Sequence, residues 1–318
     1  MSDISYTTEE IGKLLKVSKV TVYDLIKKGD LPSFRVGKQM RVDAADLEAY
    51  KNREKASPFK LPSDFQERSQ PVPAAPFASN STGNPTIVIT GQDISIDILA
   101  RQMEKHIVGA RPLRAYMGSL DGLIALYRGE CDMVSTHLFD GETGTYNLPY
   151  ISRIFIGSPF LVVNLLTRHT GFFVAKGNPL KLRGWSDLKK PGLSIVNREK
   201  GVGSRVLLDE QLRLLGMKAE LLKGYGTEES NPIAVAAKVA SGEADVGIGN
   251  EKSATMIDGV DFIRLIEERV DLVMLKKPEN HEWIQAVVEI LNDETFRAQL
   301  RAIPGYDLSK TGQIMLET

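Results

Sequence analysis

Two arginines, Arg198 and Arg205, bracket the run Gly201-Val202-Gly203-Ser204. Guanidinium groups beside a glycine turn suit an oxyanion, because the planar fork offers parallel donors in a fixed geometry. Where such a turn opens a helix, the free amides of the helix N-terminus favour negative charge further, with Gly203 and Ser204 as candidate lining. Other polar residues recur where apolar, β-rich runs end: Gln92-Asp93, Ser119, and Thr136-His137. Tyr146 and Asn147 follow shortly after and complete the candidate lining. Each group also has a plainer reading. Ser119 and Thr136 would serve equally as helix caps, and either arginine as half of a salt bridge. A glycine turn before a helix is common and weak by itself.

These residues must be carried by an alternation of strands and helices that begins at Thr86. Residues 86–90, 113–117 and 132–135 read as strands, with helical spacing over 94–107 and 121–127 between them. Residues 160–167 and 171–175 look like two strands joined by a turn at Arg168-His169-Thr170. A strand at 194–196 leads through the glycine turn into a helix over 206–215. Residues 233–241 read as a helix, 245–248 as a strand, 262–266 and 270–275 as returning strands, and 283–291 and 295–302 as helices. Alternation of this kind predicts an α/β domain. Two α/β lobes joined by crossing strands would close on a ligand by a hinge. The carboxyl ends of strands in such sheets are where ligands bind.

A second group of residues near the start of the chain carries a different chemistry. Thr7 with Glu10 forms a capping-box pattern, and Ile11, Leu14 and Leu15 share one helical face. Ser18 offers a second N-cap, Val22, Leu25 and Ile26 a second apolar face, and Gly29 a stop. Two short helices joined by a tight turn can place the second in a DNA major groove. That leaves Ser18, Lys19, Thr21 and Tyr23 toward base edges. Arg35 and Arg41 flank a hairpin tip, Gly37-Lys38-Gln39, and with Lys38 and Gln39 suit backbone phosphates. A third helix begins near Asp43 and Asp46, with Leu47 and Tyr50 facing inward. From Lys16 to Arg41 there are seven Lys or Arg against two Asp, in a chain whose net charge is -1. A local basic excess in a neutral chain is what phosphate binding requires.

The order Ser-x-x-Thr-Val-Tyr, Gly-x-Leu-Pro, Arg-Val-Gly, Arg-Val and Asp-Leu-x-x-Tyr resembles the excisionase-type winged helix-turn-helix family, over residues 6–51. The later segment resembles a substrate-binding domain related to molybdate-binding periplasmic proteins. The motifs are Gly118-Ser119-x-Asp121-Gly122-Leu123, His137-Leu138, Thr143-Gly144-x-Tyr146-Asn147, Asn197-Arg198 with Gly203-Ser204-Arg205, and Ala244-Asp245-Val246-Gly247-Ile248-Gly249. The expected fold class is therefore α/β: a small winged helix-turn-helix domain over 1–53 and a two-lobed type II periplasmic-binding-protein-like domain over 86–318. Five prolines between Pro58 and Pro76, then Ser79-Asn80-Ser81-Thr82-Gly83-Asn84-Pro85, make 54–85 a linker. The resemblance implies a ligand-responsive regulator with double-stranded DNA and a small anion as partners. Molybdate or tungstate is the first guess for the effector, and a small organic acid the second. A homodimer is expected, since one reader of about fifty residues contacts few bases.

Composition narrows the alternatives. No run approaches the roughly eighteen apolar residues of a membrane span, and no export leader precedes the first helix. A cytoplasmic location without membrane attachment is the expectation. The lone cysteine, Cys131, allows no internal disulfide and sits at the start of a strand, where burial is expected. The four histidines are scattered, so no metal site and no cofactor are expected. His169 is expected to be exposed in its turn. No phosphate-loop, GxSxG or HExxH motif is present, so no enzyme activity is expected. The rival readings are an architectural DNA protein whose second domain serves assembly, and an enzyme on the two-lobed fold.

Overall fold

The structure is a computed structural model that describes residues 5–15, 17–27, 31–36, 39–55 and 86–318. The chain divides into two compact units, Met1–Phe77 and Ala78–Thr318.

In the first unit, β1 (Ser5–Thr7) leads into α1 (Thr8–Leu15) and α2 (Lys19–Lys27), followed by β2 (Phe34–Val36), β3 (Gln39–Asp43) and α3 (Ala44–Lys55). The capping box forms as its residues dictate. The Thr7 amide donates to Glu10 Oε2 at 2.8 Å, and the Glu10 amide donates to Thr7 Oγ1 at 3.4 Å. Ser18 Oγ accepts from the Thr21 amide at 3.1 Å and opens α2. Between the helices the chain turns tightly, and the Val17 amide donates to the Gly12 carbonyl at 2.9 Å. A Cβ on Gly12 would press on the Val17 carbonyl oxygen at 3.0 Å, so glycine permits this approach. Ile11, Val22, Leu31, Val42 and Leu47 form the core, with Leu25, Ile26 and Tyr50 against it. β3 pairs with β2 to form the wing, and also with β1, a strand the sequence pattern does not announce. Gly29, Gly37 and Lys38 lie outside the described residues.

The second unit begins with β4 (Thr86–Thr90), α4 (Ile94–His106), β5 (Arg111–Ala115), α5 (Ser119–Arg128) and β6 (Met133–Thr136). A small hairpin, β7 (Phe139–Asp140) with β8 (Thr145–Tyr146), precedes α6 (Leu148–Ile154) and the long strand β9 (Phe160–Ala175). Then come β10 (Ile195–Arg198), α7 (Gly203–Leu214), β11 (Glu228–Glu229), α8 (Pro232–Ala240), β12 (Val246–Asn250) and the short α9 (Glu251–Ala254). A second long strand, β13 (Val260–Leu275), is followed by α10 (His281–Asn292), α11 (Glu294–Arg301), β14 (Tyr306–Asp307) and β15 (Ile314–Glu317).

The sheet runs β11-β10-β12-β9-β13-β6-β4-β5, with β14 and β15 also on β9. β4 is parallel to β5 and β6, and β10 to β12, as crossover helices require. β9 and β13 are antiparallel and pass from one lobe to the other. One lobe packs β4, β6 and the outer halves of β9 and β13 against α4, α10 and α11, with Met103, Leu272, Trp283 and Phe296 at its centre. The other packs Phe172, Ile195, Leu208, Leu212 and Ile248 beneath α7. Phe139 and Tyr146 of the β7–β8 hairpin bury against Leu207 of α7 and tie the lobes together.

Two sequence expectations are corrected here. Residues 168–170 form no turn between strands, and 262–266 and 270–275 are not separate strands. Each region is one strand of 16 residues. Of the polar residues that mimic turns, Arg168, Thr170 and Glu268 face the space between the lobes. His169 accordingly sits inside β9, paired with Glu267, and is partly buried.

Candidate functional site

Cross-strand register builds the floor of the cleft. Arg168 of β9 lies directly opposite Glu268 of β13, and its Nε donates to Glu268 Oε2 at 2.5 Å. Arg168 Nη1 donates to Asp93 Oδ2, also at 2.5 Å. Side chains two apart on a strand share a face, so Thr170 follows Arg168 into the same space. Asp93 is the N-cap of α4; its Oδ1 accepts from the Ser95 amide at 2.8 Å and from the Tyr306 hydroxyl at 2.6 Å. Burial opposes charge on both partners, but the opposite charges win. Arg168 is pushed above the ordinary arginine range by Glu268 and Asp93, and Asp93 is held below the usual carboxylate range chiefly by Arg168.

Around this triad lies a cavity of about 60 Å³ whose lining includes Gln92, His137, Arg168, Thr170, Arg198, Ser204, Asn250 and Glu268. Arg198 is placed by the end of β10. Its Nε donates to the Glu229 carbonyl, and its Nη2 to the Ser230 carbonyl and to Gln92 Oε1, each at 2.9 Å. It is 4 % exposed, and among the described residues no carboxylate lies within ion-pair distance of it. Burial accordingly lowers its pKa, with only Glu199 acting the other way. The Thr170 hydroxyl is buried without a hydrogen-bond partner among the described residues. His137 sits beside these groups, its pKa lowered by burial against the pull of Glu268. Among the described residues no cluster of His, Cys, Asp or Glu has the arrangement of a metal site.

The expected lining residues therefore divide. Gln92, Asp93, His137, Arg198 and Ser204 face the cavity. Ser119, Thr136, Tyr146, Asn147, Gly203 and Arg205 do not line it, and each has a structural task instead. Ser119 Oγ accepts from the His137 amide at 3.2 Å and lies 3.2 Å from its Nδ1. Asn147, at φ 66°, accepts from the Leu138 amide and from Thr136 Oγ1, and donates to Asp271. Tyr146 is buried in the seam between the lobes, its hydroxyl unpartnered among the described residues. Gly203 starts α7 where any Cβ would overlap the His137 ring. Arg205 turns away: it donates to Glu228 and the Arg198 carbonyl at 2.9 Å, and stacks on the Tyr225 ring at 4.3 Å.

Arg168, Thr170, Glu268 and Asn250 are polar cleft residues that the sequence reading overlooks. Thr167-Arg168-His169-Thr170 is an unbroken polar run between two apolar ones, so local periodicity reads it as a turn, and only the pairing of β9 with β13 shows one continuous strand.

In the first unit, Ser18, Lys19, Thr21, Tyr23 and Arg35 are exposed. Ser18 and Thr21 are also spent on capping, with their hydroxyls 2.8 Å apart. Lys19 lies 3.7 Å from Glu9, an exposed contact worth little. Arg41 is half-buried and donates to Ser5 Oγ at 3.2 Å, which ties it to β1. Gln39 pairs with Val36 in the wing, and Lys38 falls outside the described residues.

A reader helix on a winged scaffold and a charged cleft between two α/β lobes define a DNA-binding domain fused to a ligand-binding domain. Residues 5–55 match the family described as Helix-turn-helix domain, and residues 100–292 the family described as PBP superfamily domain. The chain belongs to the PBP superfamily, in a group that includes the uncharacterized protein YvgK of Bacillus subtilis (strain 168). It is 50% identical to that protein over 314 residues, spanning 99% of this chain and 98% of the relative. Solved structures agree at the level of fold. An ancestral amino acid-binding protein, AncCDT-1, superposes with a TM-score of 0.50 at 18% identity, over 69% of this chain and 95% of its own. A cysteine-to-serine mutant of OxyR from Corynebacterium glutamicum, H2O2-bound, gives 0.50 at 14% identity, over 93% and 89%. Among the described residues no helix is long and apolar enough to cross a membrane.

Proposed function

We propose that this protein is a cytoplasmic, non-enzymatic transcription regulator whose DNA affinity responds to a small anion-bearing effector held between the lobes. The observation that carries this reading is Arg198, a nearly buried guanidinium that lines the cleft without a carboxylate partner among the described residues. An unpaired charge of that kind is costly to bury and is relieved by an anionic ligand. Nothing in the cleft is particular to molybdate or tungstate, since its lining also carries two carboxylates, Asp93 and Glu268, both paired with Arg168. Closure over the ligand acts on DNA only so far as the ligand prefers one arrangement of the lobes. A homodimer presenting two readers to half-sites about one helical turn apart completes the proposal.

Fluorescence anisotropy of the full chain on duplex from its own upstream region tests the output arm. Lys19→Ala and Arg35→Ala are each expected to weaken binding and to lower the salt slope by about one. Unchanged affinity in both variants refutes the assigned face. For the input, small acids and oxyanions are titrated into the complex. An effector should change DNA affinity by about fivefold or more, and no response to any of them refutes the sensor.

A further inference from the structure

We infer that the cleft selects a small zwitterion of the amino-acid type, with Arg198 receiving its carboxylate and Glu268 its ammonium group. The inference rests on the sensor reading above and sharpens its ligand. Four charged side chains line the cavity: Arg168 and Arg198, and Asp93 and Glu268. Their formal charges cancel. Arg168 is occupied by both carboxylates, and both Asp93 oxygens are used, by Arg168 on one side and by Ser95 and Tyr306 on the other.

What is left to a ligand is therefore specific. Arg198 has no ion-pair partner, and its Nη1 carries no hydrogen bond among the described residues. The Thr170 hydroxyl, 1 % exposed, has none either. Glu268, also 1 % exposed, commits only Oε2 to Arg168, and Oε1 has no partner among the described residues. Free donors at Arg198 and Thr170 match a carboxylate. A free carboxylate oxygen demands a donor, and in a buried site a cationic donor suits it best.

A fully ionised tetraoxyanion has nothing to donate to Glu268 and adds two negative charges to a neutral set. A zwitterion leaves the buried charge balanced. The cavity of about 60 Å³ favours a small ligand.

Calorimetric titration of the full chain separates these cases, using glycine, alanine and serine against acetate, molybdate and tungstate. At least one amino acid is expected to bind, and each simple anion at least tenfold more weakly. Glu268→Gln removes the acceptor charge, so it should weaken the amino acid at least tenfold while leaving acetate unchanged or tighter. A purely structural loss would weaken both alike and would overturn the role of Glu268. If the variant does not fold, the wild-type ranking decides alone. Acetate, molybdate or tungstate binding tighter than every amino acid overturns this inference and leaves the sensor standing. No binding by any probe overturns both.

Discussion

At the residue scale, two arginines only seven positions apart in one motif carry opposite tasks. Arg205 satisfies its donors with Glu228, Asp209 and a backbone carbonyl, whereas Arg198 is left with carbonyls and an amide oxygen. A guanidinium already bound to two carboxylates gains little from an anionic ligand, and one without them gains much. Cys131 is the reverse of reactive: it is buried, and its thiol is pushed up to about 12 by desolvation. His137 makes a pH prediction. Burial lowers its pKa, so the folded protein resists a proton that the unfolded chain accepts from about 6.5 downward. Between that value and the lower folded value, stability falls as pH falls. Denaturant melts from pH 7.5 to 5 should show the decline, and His137→Gln should lose part of it. Parallel curves for the two proteins refute the assignment.

At the scale of elements, the cleft is made by two long antiparallel strands whose register sets Arg168 against Glu268. Two bulges flank that pair, at Arg264/Ile266 and Val270/Asp271, where the strands change lobes. Extra residues in a ladder bend it and re-aim side chains. Against this frame the start of α7 approaches His137 so closely that only glycine fits at position 203. Gly203→Ala should destabilise the second unit by about 1–3 kcal/mol through overpacking between the lobes. Thermal melting of the fragment from Thr86 onward measures it, and an unchanged midpoint refutes the contact. The helix starts were readable beforehand, because capping depends on near neighbours: Thr7 with Glu10, and Ser18 with Thr21. The strand β1 was not, since three residues pair with β3 more than thirty positions away.

At the scale of the whole molecule, the proposed regulation requires effector and DNA to be coupled through free energy, and such coupling is reciprocal. If an amino acid changes DNA affinity by some factor, saturating duplex must change the affinity for that amino acid by the same factor. Calorimetry with and without duplex checks this. Unequal factors mean that the two ligands do not share one equilibrium.

The residue order alone was enough for the two families, the capped reader helices and the strand–helix alternation, because each rests on local periodicity and short motifs. It also reached five of the cleft residues, four at strand ends and Ser204 at the start of α7. It could not tell Arg198 from Arg205, or find Arg168, Thr170 and Glu268. Those distinctions depend on which groups meet across the crossing strands, and Arg168 and Glu268 are separated by 100 positions in the chain. Charge cancellation within the cleft is a property of that meeting, and no stretch of sequence contains it.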